Sequence, residues 1–411
     1  MNESTADIEK TKMLEFDKFK RERRGFSSSP REWRLLFYLD VEPIWSNLLG
    51  ILLDAHRRRE LKEFPPTCLL ISYNKPFPTV GYYSDMDREI NWLNCQALNV
   101  YPVRRWHLGG GTVFLGEHTA FMETAQPLRE MANTDEAYYL YVGQILTETL
   151  KDLGVANAYY RYPNDLRVPP GKKIVGSAFE TMGNFMLGNY SFNRYLPDME
   201  LSSITLNIPP EKFKDKKIKE LTKYIASAET DGSHVPAMKE VKEAMTRNFK
   251  KYANIDLIQR ELREEEKAVW QKYSPEILNE GFIWRRSTHK FIARNRGKAI
   301  TGFHQEKYFK MIQVAIAIDE DRKIHDMMLT GDYFIVPTDT DEKVTAELIG
   351  LDATDRKSVT DVITKTFNQP GYEFTGATPE QIANVIAGAA NSALALQETM
   401  LYRKRQGADP Y

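Results

Sequence analysis

The sequence predicts a two-domain protein of mixed helices and strands, α/β in the broad sense and α+β in the strict one. Three observations lead to this prediction. Segments with apolar residues at helical spacing alternate with short runs of β-branched and aromatic residues. A Pro-Pro-Gly turn at 169–171 separates two strand-like runs. Beyond about residue 260, strand-like runs precede helical ones, which is the order of a small α+β unit. A length of 411 residues agrees, because one domain usually takes roughly 100–200.

The first part of the chain predicts a helix followed by strands. Residues 1–30 are charged and predict a mobile lead-in, so the fold is expected to start near Trp33. The run VEPIWSNLLGILLDAHRRREL has helical spacing, and TCLLISY after it is β-rich. LNVYPVRRW and TVFLGEHTAFMETAQ are strand-like on either side of three glycines, which predicts a strand, a glycine loop and a second strand.

The middle of the chain predicts a core helix and a hairpin. The helix spans about 134–153 and is closed by Gly154, with one apolar face made of Val142, Ile145, Leu146, Leu150 and Leu153. After it, the turn at 169–171 joins the strand that begins Asn164-Asp165 to the strand that begins Lys172-Lys173. A carboxylate and an ammonium are therefore expected to face the same space.

The last third predicts a second domain. The charged run REEEKAVWQKYSPE (263–276) is interpreted as a surface connection, so the boundary is placed near 260, giving domains at 31–260 and 261–411. Strand-like runs are followed by helical ones, and Thr378-Pro379-Glu380-Gln381 has the residues of a capping box before a helix to about 404.

Composition narrows the classes of partner and compartment. The chain has 56 Lys+Arg against 57 Asp+Glu, which disfavours nucleic acid as the main partner and requires any anion site to be local. Two cysteines cannot build a disulfide framework and fit a reducing compartment. The N-terminus lacks an export signal, no run of about 18 apolar residues occurs, and no histidine or Cys-x-x-Cys pair indicates a structural metal. We therefore expect a soluble, cytoplasmic protein without membrane contact.

The glycine run at 109–111 is unusual because three consecutive glycines lose much conformational entropy on folding. One interpretation is a loop whose N–H groups face an anion, with Arg104 and Arg105 supplying charge. The other is a plain hairpin turn. Neither the P-loop pattern G-x-x-x-x-G-K-[ST] nor the dinucleotide-binding pattern G-x-G-x-x-G is present, and both would require a helix directly after the glycines, where a strand is predicted.

Three segments together resemble the lipoate–protein ligases: RRWHLGGGTVF at 104–114, PNDLRV at 163–168 and KKIVGSAFE at 172–180. Their order and approximate spacing match that family. LTGDYFIVP at 329–337 resembles its accessory domain. The resemblance implies a biotin/lipoate ligase-like catalytic domain with a mixed, largely antiparallel sheet flanked by helices, plus a small α+β accessory domain.

The resemblance also implies an activity. A ligase of this family activates lipoate, or octanoate, with ATP as lipoyl-AMP and transfers the acyl group to a lysine of a lipoyl domain, such as a 2-oxoacid dehydrogenase E2 or a glycine cleavage H protein. Lys173 matches the catalytic lysine that bridges the α-phosphate and the acyl carbonyl. Asp165 would hold Mg²⁺ and Asn164 would orient the adenylate. The remaining residues implied to bind ATP or lipoyl-AMP are Arg104, Arg105, Gly109, Gly110, Gly111, Thr112, Gly176, Ser177 and Ala178.

Alternatives remain open at the level of sequence. The family usually places a hydroxyl residue and one residue fewer between the arginines and the glycines, where this chain has Trp106-His107-Leu108, and His107 is left outside the catalytic set. An octanoyltransferase of the same fold is the nearest rival, although neither Cys68 nor Cys95 lies at the motif segments. A biotin ligase is less favoured, because this sequence lacks the glycine- and arginine-rich loop of those enzymes. The altered spacing between the arginines and the glycines is also compatible with a non-catalytic binding homologue.

Overall fold

The structure of this chain is a computed structural model. It describes residues 31–128, 130, 135–161, 164–207 and 221–405. The predicted lead-in at 1–30 and Pro163 of the motif PNDLRV lie outside the described residues.

The strands and helices of the described residues are numbered along the chain. The strands β1 to β16 are Arg31–Val41, Thr67–Tyr73, Phe77–Val80, Val103–Arg104, Val113–Leu115, Thr119–Pro127, Tyr159–Arg161, Asp165–Val168, Lys172–Met182, Phe185–Asn193, Ile255–Gln259, Ile300–Lys307, Met311–Ile318, Ile324–Gly331, Phe334–Val336 and Glu373–Thr375. The α-helices α1 to α14 are Leu48–Arg57, Met86–Glu89, Trp92–Ala97, Asp135–Asp152, Met199–Thr205, Leu221–Tyr224, Ala228–Asp231, Met238–Asn248, Glu264–Ile277, Glu280–Ile283, Thr288–Asn295, Thr340–Leu348, Arg356–Phe367 and Pro379–Arg405. A 3₁₀ turn at Pro43–Asn47 and a π turn at Phe249–Ala253 complete the helical segments.

The described residues divide into two compact units. Unit 1 falls within Met1–Pro76, Leu115–Met199 and Ile218–Trp270, and unit 2 falls within Phe77–Phe114, Glu200–Lys217 and Gln271–Tyr411. This division differs from the predicted boundary near 260, because residues 77–114 cluster with the C-terminal part of the chain. The physical reason is local packing: Tyr82 and Tyr83 belong to the same hydrophobic core as Tyr333 and the strands around it.

Unit 1 contains an eight-stranded sheet in the order β11-β1-β2-β6-β10-β9-β8-β7. Strand β1 pairs in parallel with β11 and with β2, whereas every pairing from β2 across to β7 is antiparallel. The predicted mixed, largely antiparallel sheet flanked by helices is therefore confirmed.

The core of unit 1 includes helix α4, which the sequence predicted over about 134–153. The five residues of its predicted apolar face are all buried in one cluster with side chains of the sheet. Gly154 follows the helix with φ of +87°, and a Cβ there would lie 2.1 Å from Ser233 Oγ. The left-handed backbone conformation favours glycine at this position, and a larger residue would also have to displace the Ser233 hydroxyl.

Unit 2 contains the antiparallel sheet β12-β13-β14 and the long helix α14. The predicted capping box is confirmed, since the Thr378 amide donates to Gln381 Oε1 at 2.9 Å and the Gln381 amide donates to Thr378 Oγ1 at 3.3 Å. Alanine and isoleucine side chains bury one face of α14 in the same core as β13 and β14. From residue 300 onward the strands β12 to β15 precede α12 and α13 as predicted, but the helices α9 to α11 come before all of these strands, which the sequence did not predict.

The segment 263–276, predicted to be a charged surface connection, contains the boundary between the two units at Trp270 and Gln271, and Glu264, Glu265 and Lys267 are exposed. It forms most of α9, with Glu266, Val269 and Tyr273 buried at helical spacing. The Glu266 carboxylate is fully buried and accepts a hydrogen bond of 2.6 Å from Arg34 Nη1. A buried ion pair therefore replaces solvent contact at this one glutamate of the run, whereas Glu264 and Glu265 remain exposed. Among the described helices, none is long and apolar enough to cross a membrane.

Candidate functional site

The hairpin of β8 and β9 carries the predicted catalytic lysine, Lys173, and a β-bulge in β9 determines the face of the sheet on which its side chain lies. Asp165 is opposite Gly176 and Leu166 is opposite Val175, but the next residue, Arg167, is opposite Lys173. One step along β8 thus corresponds to two along β9, so β9 holds an extra residue at this point. In a regular strand, side chains three residues apart point to opposite faces. The bulge reverses this rule and brings the side chains of Lys173 and Asp165 to the same face.

Asp165 lies between two cations in this hairpin. Its Oδ1 is 2.8 Å from Lys173 Nζ, and its Oδ2 is 2.7 Å from Arg167 Nη2. Arg167 also donates to Tyr224 Oη at 2.6 Å and to the Gly171 carbonyl at 2.9 Å. A Cβ at Gly176 would lie 3.0 Å from Lys173 Nζ, so the ammonium lies directly over this glycine.

The charges of this cluster are strongly coupled. Burial by itself would raise the pKa of Asp165, but the positive charges of Lys173 and Arg167 outweigh it and lower that pKa to about 2. Burial would lower the pKa of Lys173, and the Asp165 carboxylate outweighs it, so the pKa of the lysine is raised. Lys173 is therefore an ammonium at neutral pH, suited to stabilise negative charge and not to act as a base.

Asn164 and Ser177 hold the two strands together where β8 begins. Asn164 Nδ2 donates to the Ser177 carbonyl at 2.6 Å, and Ser177 Oγ donates to the Asn164 carbonyl at 2.8 Å. Gly176 and Ala178, both predicted site residues, follow the bulge on β9, and Gly176 places no side chain beneath Lys173. Lys172, by contrast, forms an ion pair of 3.0 Å with Asp231. The hairpin thus brings together Asn164, Asp165, Lys173, Gly176 and Ser177 as the sequence predicted, whereas Ala178 lies further along β9 and pairs with Asn189 of β10.

The predicted arginines lie in unit 2, where their guanidinium groups bind main-chain carbonyls. Arg104 is fully buried and donates to the carbonyls of Gly81, Tyr82, Ser84 and Ile283 at 2.8–3.1 Å. Arg105 Nη2 donates to the carbonyls of Gly109, Gly110 and Gly111 at 2.7, 2.7 and 2.9 Å. These contacts give both arginines a structural role, and their direct binding of an anion stays a prediction.

Contacts or backbone conformation within unit 2 explain why two of the three positions 109–111 are glycine. A Cβ on Gly109 would lie 2.2 Å from the Tyr333 carbonyl oxygen, and Gly110 has φ of +84°. Gly111 has no such constraint, because the nearest atom to its Cβ would be Asp332 Oδ2 at 3.8 Å. Thr112 Oγ1 is buried without a hydrogen-bond partner among the described residues. Packing therefore explains Gly109 and Gly110 but leaves the third glycine unexplained.

The described residues do not fit a Mg²⁺ site at Asp165. Both carboxylate oxygens already contact cationic nitrogens, and two positive charges beside the carboxylate oppose the approach of a divalent cation. No group of three or more His, Cys, Asp or Glu residues in the described part of the chain is arranged to hold a metal. The arrangement therefore does not support the prediction that Asp165 holds Mg²⁺.

Both cysteines of the chain are buried. Cys68 lies in β2 within the core of unit 1, and Cys95 lies in α3 within unit 2. Burial raises the pKa of the Cys68 thiol well above its ordinary range and that of Cys95 to about 11. Neither thiol is therefore prepared to act as a nucleophile at neutral pH.

Sequence reasoning missed Arg167 and Tyr224. The alternation of strand side chains was a usable signal for Arg167, which is two residues after Asp165 and therefore on the same face of β8. Tyr224 is more than fifty residues further along, and no local pattern links it to the hairpin. His107, with its ring 5.2 Å from that of Tyr82 and a φ of +64°, packs among aromatic rings.

Comparisons with known proteins agree with this fold. Residues 52–250 match the family described as "Lipoyl protein ligase A/B catalytic domain". Octanoyltransferase LipM of Geobacillus kaustophilus is 27% identical over 259 residues, which cover 57% of this chain and 91% of that protein. Lipoate-protein ligase A subunit 1 of Thermoplasma acidophilum is 25% identical over 218 residues, covering 50% of this chain and 80% of that protein.

Solved structures show the same fold. LipL1 of P. falciparum in complex with lipoate aligns with a TM-score of 0.61 and 14% identity, over 87% of this chain and 99% of that chain. The bi-partite lipoate protein ligase of Thermoplasma acidophilum, described with its E2 lipoyl domain, aligns with a TM-score of 0.52 and 20% identity. The alignment covers 62% of this chain and 96% of that chain. A lipoate-protein ligase A bound with ATP aligns with a TM-score of 0.50 and 17% identity, and the alignment covers 62% of this chain and 98% of that chain. The resemblance found in the three sequence motifs is thus confirmed: residues 52–250, just under half of the chain, match the catalytic domain of the lipoyl protein ligase A/B family, and the fold is that of solved lipoate protein ligases.

Proposed function

We propose that this protein is an ATP-dependent lipoate–protein ligase, which forms lipoyl-AMP from lipoate and ATP and then acylates a lysine of a lipoyl domain. The observation that carries the proposal is the Lys173 ammonium, held over Gly176 by Asp165 in the hairpin that matches the family motif. It is charged and partly exposed, with 26% of its side chain accessible. An ammonium of this kind can contact an anionic ligand without first breaking the fold.

The chemistry needs such a group. A carboxylate does not acylate an amine, because oxide and hydroxide are poor leaving groups. In the first step the carboxylate oxygen attacks the α-phosphorus of ATP, an O–P bond forms, the bond to the leaving group breaks, and pyrophosphate departs. In the second step the acceptor amine attacks the acyl carbon, AMP leaves, and the amine loses a proton. The charge of Lys173 stabilises the negative charge that develops on the phosphoryl and carbonyl oxygens.

The pattern of cysteines favours the ligase over a thioester mechanism. An acyl transferase that works through a cysteine needs an accessible thiol of low pKa. Here burial raises the pKa of both thiols, and neither belongs to the hairpin. ATP and lipoate as ligands, and a lipoyl domain as partner, are supported by what the solved relatives were determined with.

Octanoyl transfer from a carrier protein is the second candidate, and the names of the LipM relatives favour it. The same lysine is suited to either reaction, since both pass through a negatively charged carbonyl oxygen. The two candidates differ in their need for ATP. That lipoyl-AMP also binds at the glycine loop stays a prediction.

The experiment is a pyrophosphate assay on the purified full-length protein. We expect release of pyrophosphate from ATP only when lipoate or octanoate is present, followed by a mass increase of an added lipoyl domain equal to one acyl group. Release without the fatty acid indicates an unrelated ATPase. No release, together with acylation of the lipoyl domain by octanoyl carrier protein without ATP, replaces the ligase with the transferase. Absence of both reactions favours the non-catalytic homologue.

A further inference from the structure

Arg167 is a buried cation next to the proposed catalytic lysine. Only 6% of the residue is accessible, and its ion-pair partner among the described residues is Asp165, at 2.7 Å. Tyr224 Oη and the Gly171 carbonyl accept its other hydrogen bonds. Taking a guanidinium out of water is unfavourable unless it is paired, so this geometry requires the carboxylate.

The single carboxylate of Asp165 is shared by two cations. Each oxygen contacts a different one, which fixes the plane of the carboxylate. The three charged groups sum to +1, because two cations share one anion. Without Arg167, the same carboxylate would be left to Lys173 alone, and the pair would have no net charge.

This charge balance matters for an anionic ligand. The ammonium of a neutral ion pair attracts phosphate weakly, because its partner repels the same phosphate at nearly the same distance. With Arg167 in place, part of the negative charge of Asp165 is directed away from Lys173. Arg167 itself is covered, so the lysine is the more accessible cation of the two.

We infer that Arg167 is a positioning residue of this site, which binds one oxygen of Asp165 and so leaves Lys173 with net positive charge for an anionic substrate. The inference rests on the proposed function for its kinetic part only. Nothing in the β8 sequence around Asp165 requires an arginine for strand formation, since β-branched and aromatic residues are preferred there.

The test compares Arg167→Met with Arg167→Lys and with a matched control, Arg34→Met. Arg34 is also a buried strand arginine of unit 1, 8% accessible, with a carboxylate partner at 2.6 Å, but four strands separate β1 from β8 in the sheet. Lipoate-dependent formation of lipoyl-AMP is measured on each variant shown to be folded. We expect kcat/KM to fall about 10–100-fold in Arg167→Met, to stay within about fivefold in Arg167→Lys, and to be unchanged in Arg34→Met.

A second measurement does not depend on activity. Acetic anhydride at pH 9 labels free amines, and mass spectrometry of peptides gives the rate at Lys173 relative to Lys172 in the same sample. We expect slower labelling of Lys173 in Arg167→Met, because Asp165 then holds the ammonium alone. If Arg167 only supports the hairpin, its loss loosens the strands and Lys173 is labelled faster.

Several results would overturn the inference: faster labelling of Lys173 in Arg167→Met, an unchanged kcat/KM in that variant, or an equal loss of activity in Arg34→Met. If the wild-type protein forms no lipoyl-AMP, the proposed function fails instead. The labelling experiment then decides the role of Arg167 alone.

Discussion

The hairpin of unit 1 and the glycine loop of unit 2 use buried arginines in different ways. In the hairpin, Arg167 pairs with a carboxylate that also holds Lys173. In the glycine loop, Arg105 is surrounded by the carbonyls of the residues that follow it, Leu108 to Gly111. The first arrangement keeps a formal charge next to an accessible amine. The second uses a formal charge to satisfy neutral dipoles.

The difference shows that a charged motif does not by itself identify a ligand contact. Arg104 and Arg105 stand beside glycines in a pattern typical of anion binding, yet each guanidinium holds a turn of its own unit. Carbonyl oxygens that converge on a buried cation are strongly bonded and fix the backbone. We expect the hairpin to control the rate of the reaction and the arginines of unit 2 to control mainly stability.

The largest expected effect is that of Lys173→Ala, which tests whether the hairpin carries the chemistry. Loss of a group that stabilises developing charge typically costs about 10²–10³-fold in kcat, and we expect a loss of that size in lipoyl-AMP formation. Lys172→Ala is the control, because its amine pairs with Asp231, and its rate should stay within about threefold. Equal losses in the two variants would show that the lysine has been misassigned.

Arg105→Met is expected to destabilise the protein by about 3 kcal/mol, because three glycine carbonyls lose a donor and each costs roughly 1 kcal/mol or more. Urea unfolding measures the loss. Arg294→Met, which removes a half-exposed ion pair with Asp326, should cost only about 0–1 kcal/mol. A stable Arg105→Met protein that no longer binds ATP would break the comparison, since the arginine would then contact the ligand.

Acid titration should separate the two regions. The folded-state pKa of Asp165, about 2, lies below its ordinary value of 3.8, so the folded protein binds fewer protons than the unfolded chain and stability rises with pH. The gain is complete above about pH 4 and is lost as the pH falls through 2, with a size of about 2 kcal/mol. The difference in the free energy of unfolding between wild type and Asp165→Asn should shrink by that amount from pH 5 to pH 2.

The carbonyl contacts of Arg105 do not titrate. The stability loss in Arg105→Met should therefore stay constant over the same range of pH. A constant difference for Asp165→Asn as well would contradict the ion pairs described for the hairpin.

The smallest effect on stability is expected for Gly111→Ala. Space is available for its Cβ, so the free energy of unfolding should change by less than about 0.5 kcal/mol, whereas Gly109→Ala should cost roughly 1–3 kcal/mol through overpacking against Tyr333. If the loop approaches the adenylate, Gly111→Ala should nevertheless lower kcat/KM about tenfold. An unchanged kcat/KM would indicate that the glycine loop is structural throughout.

Much of the fold was predictable because it depends on short-range patterns. The apolar stripe of α4, the turn at 169–171 and the capping box at Thr378 each lie within a few residues, and each was confirmed. The burial of Glu266 within the charged run 263–276 was not predictable, because its partner Arg34 lies more than two hundred residues earlier. Residues 77–114 were assigned to the catalytic domain because contacts with Tyr333 have no signature in the local sequence.

The sequence by itself predicted the resemblance to the lipoate–protein ligases and the segments proposed to carry the site, because those predictions depend on residue identity and spacing. Only the tertiary structure decided what those side chains contact. The spacing of Lys173 and Gly176 places them on opposite faces of a regular strand, and the bulge in β9 reverses this. The hydrogen bonds of Arg104 and Arg105 depend on where the backbone carbonyl groups of folded loops point, and residue type does not specify that direction. Bulges and carbonyl directions follow from packing over the whole unit, so they cannot be read from residue identities in order.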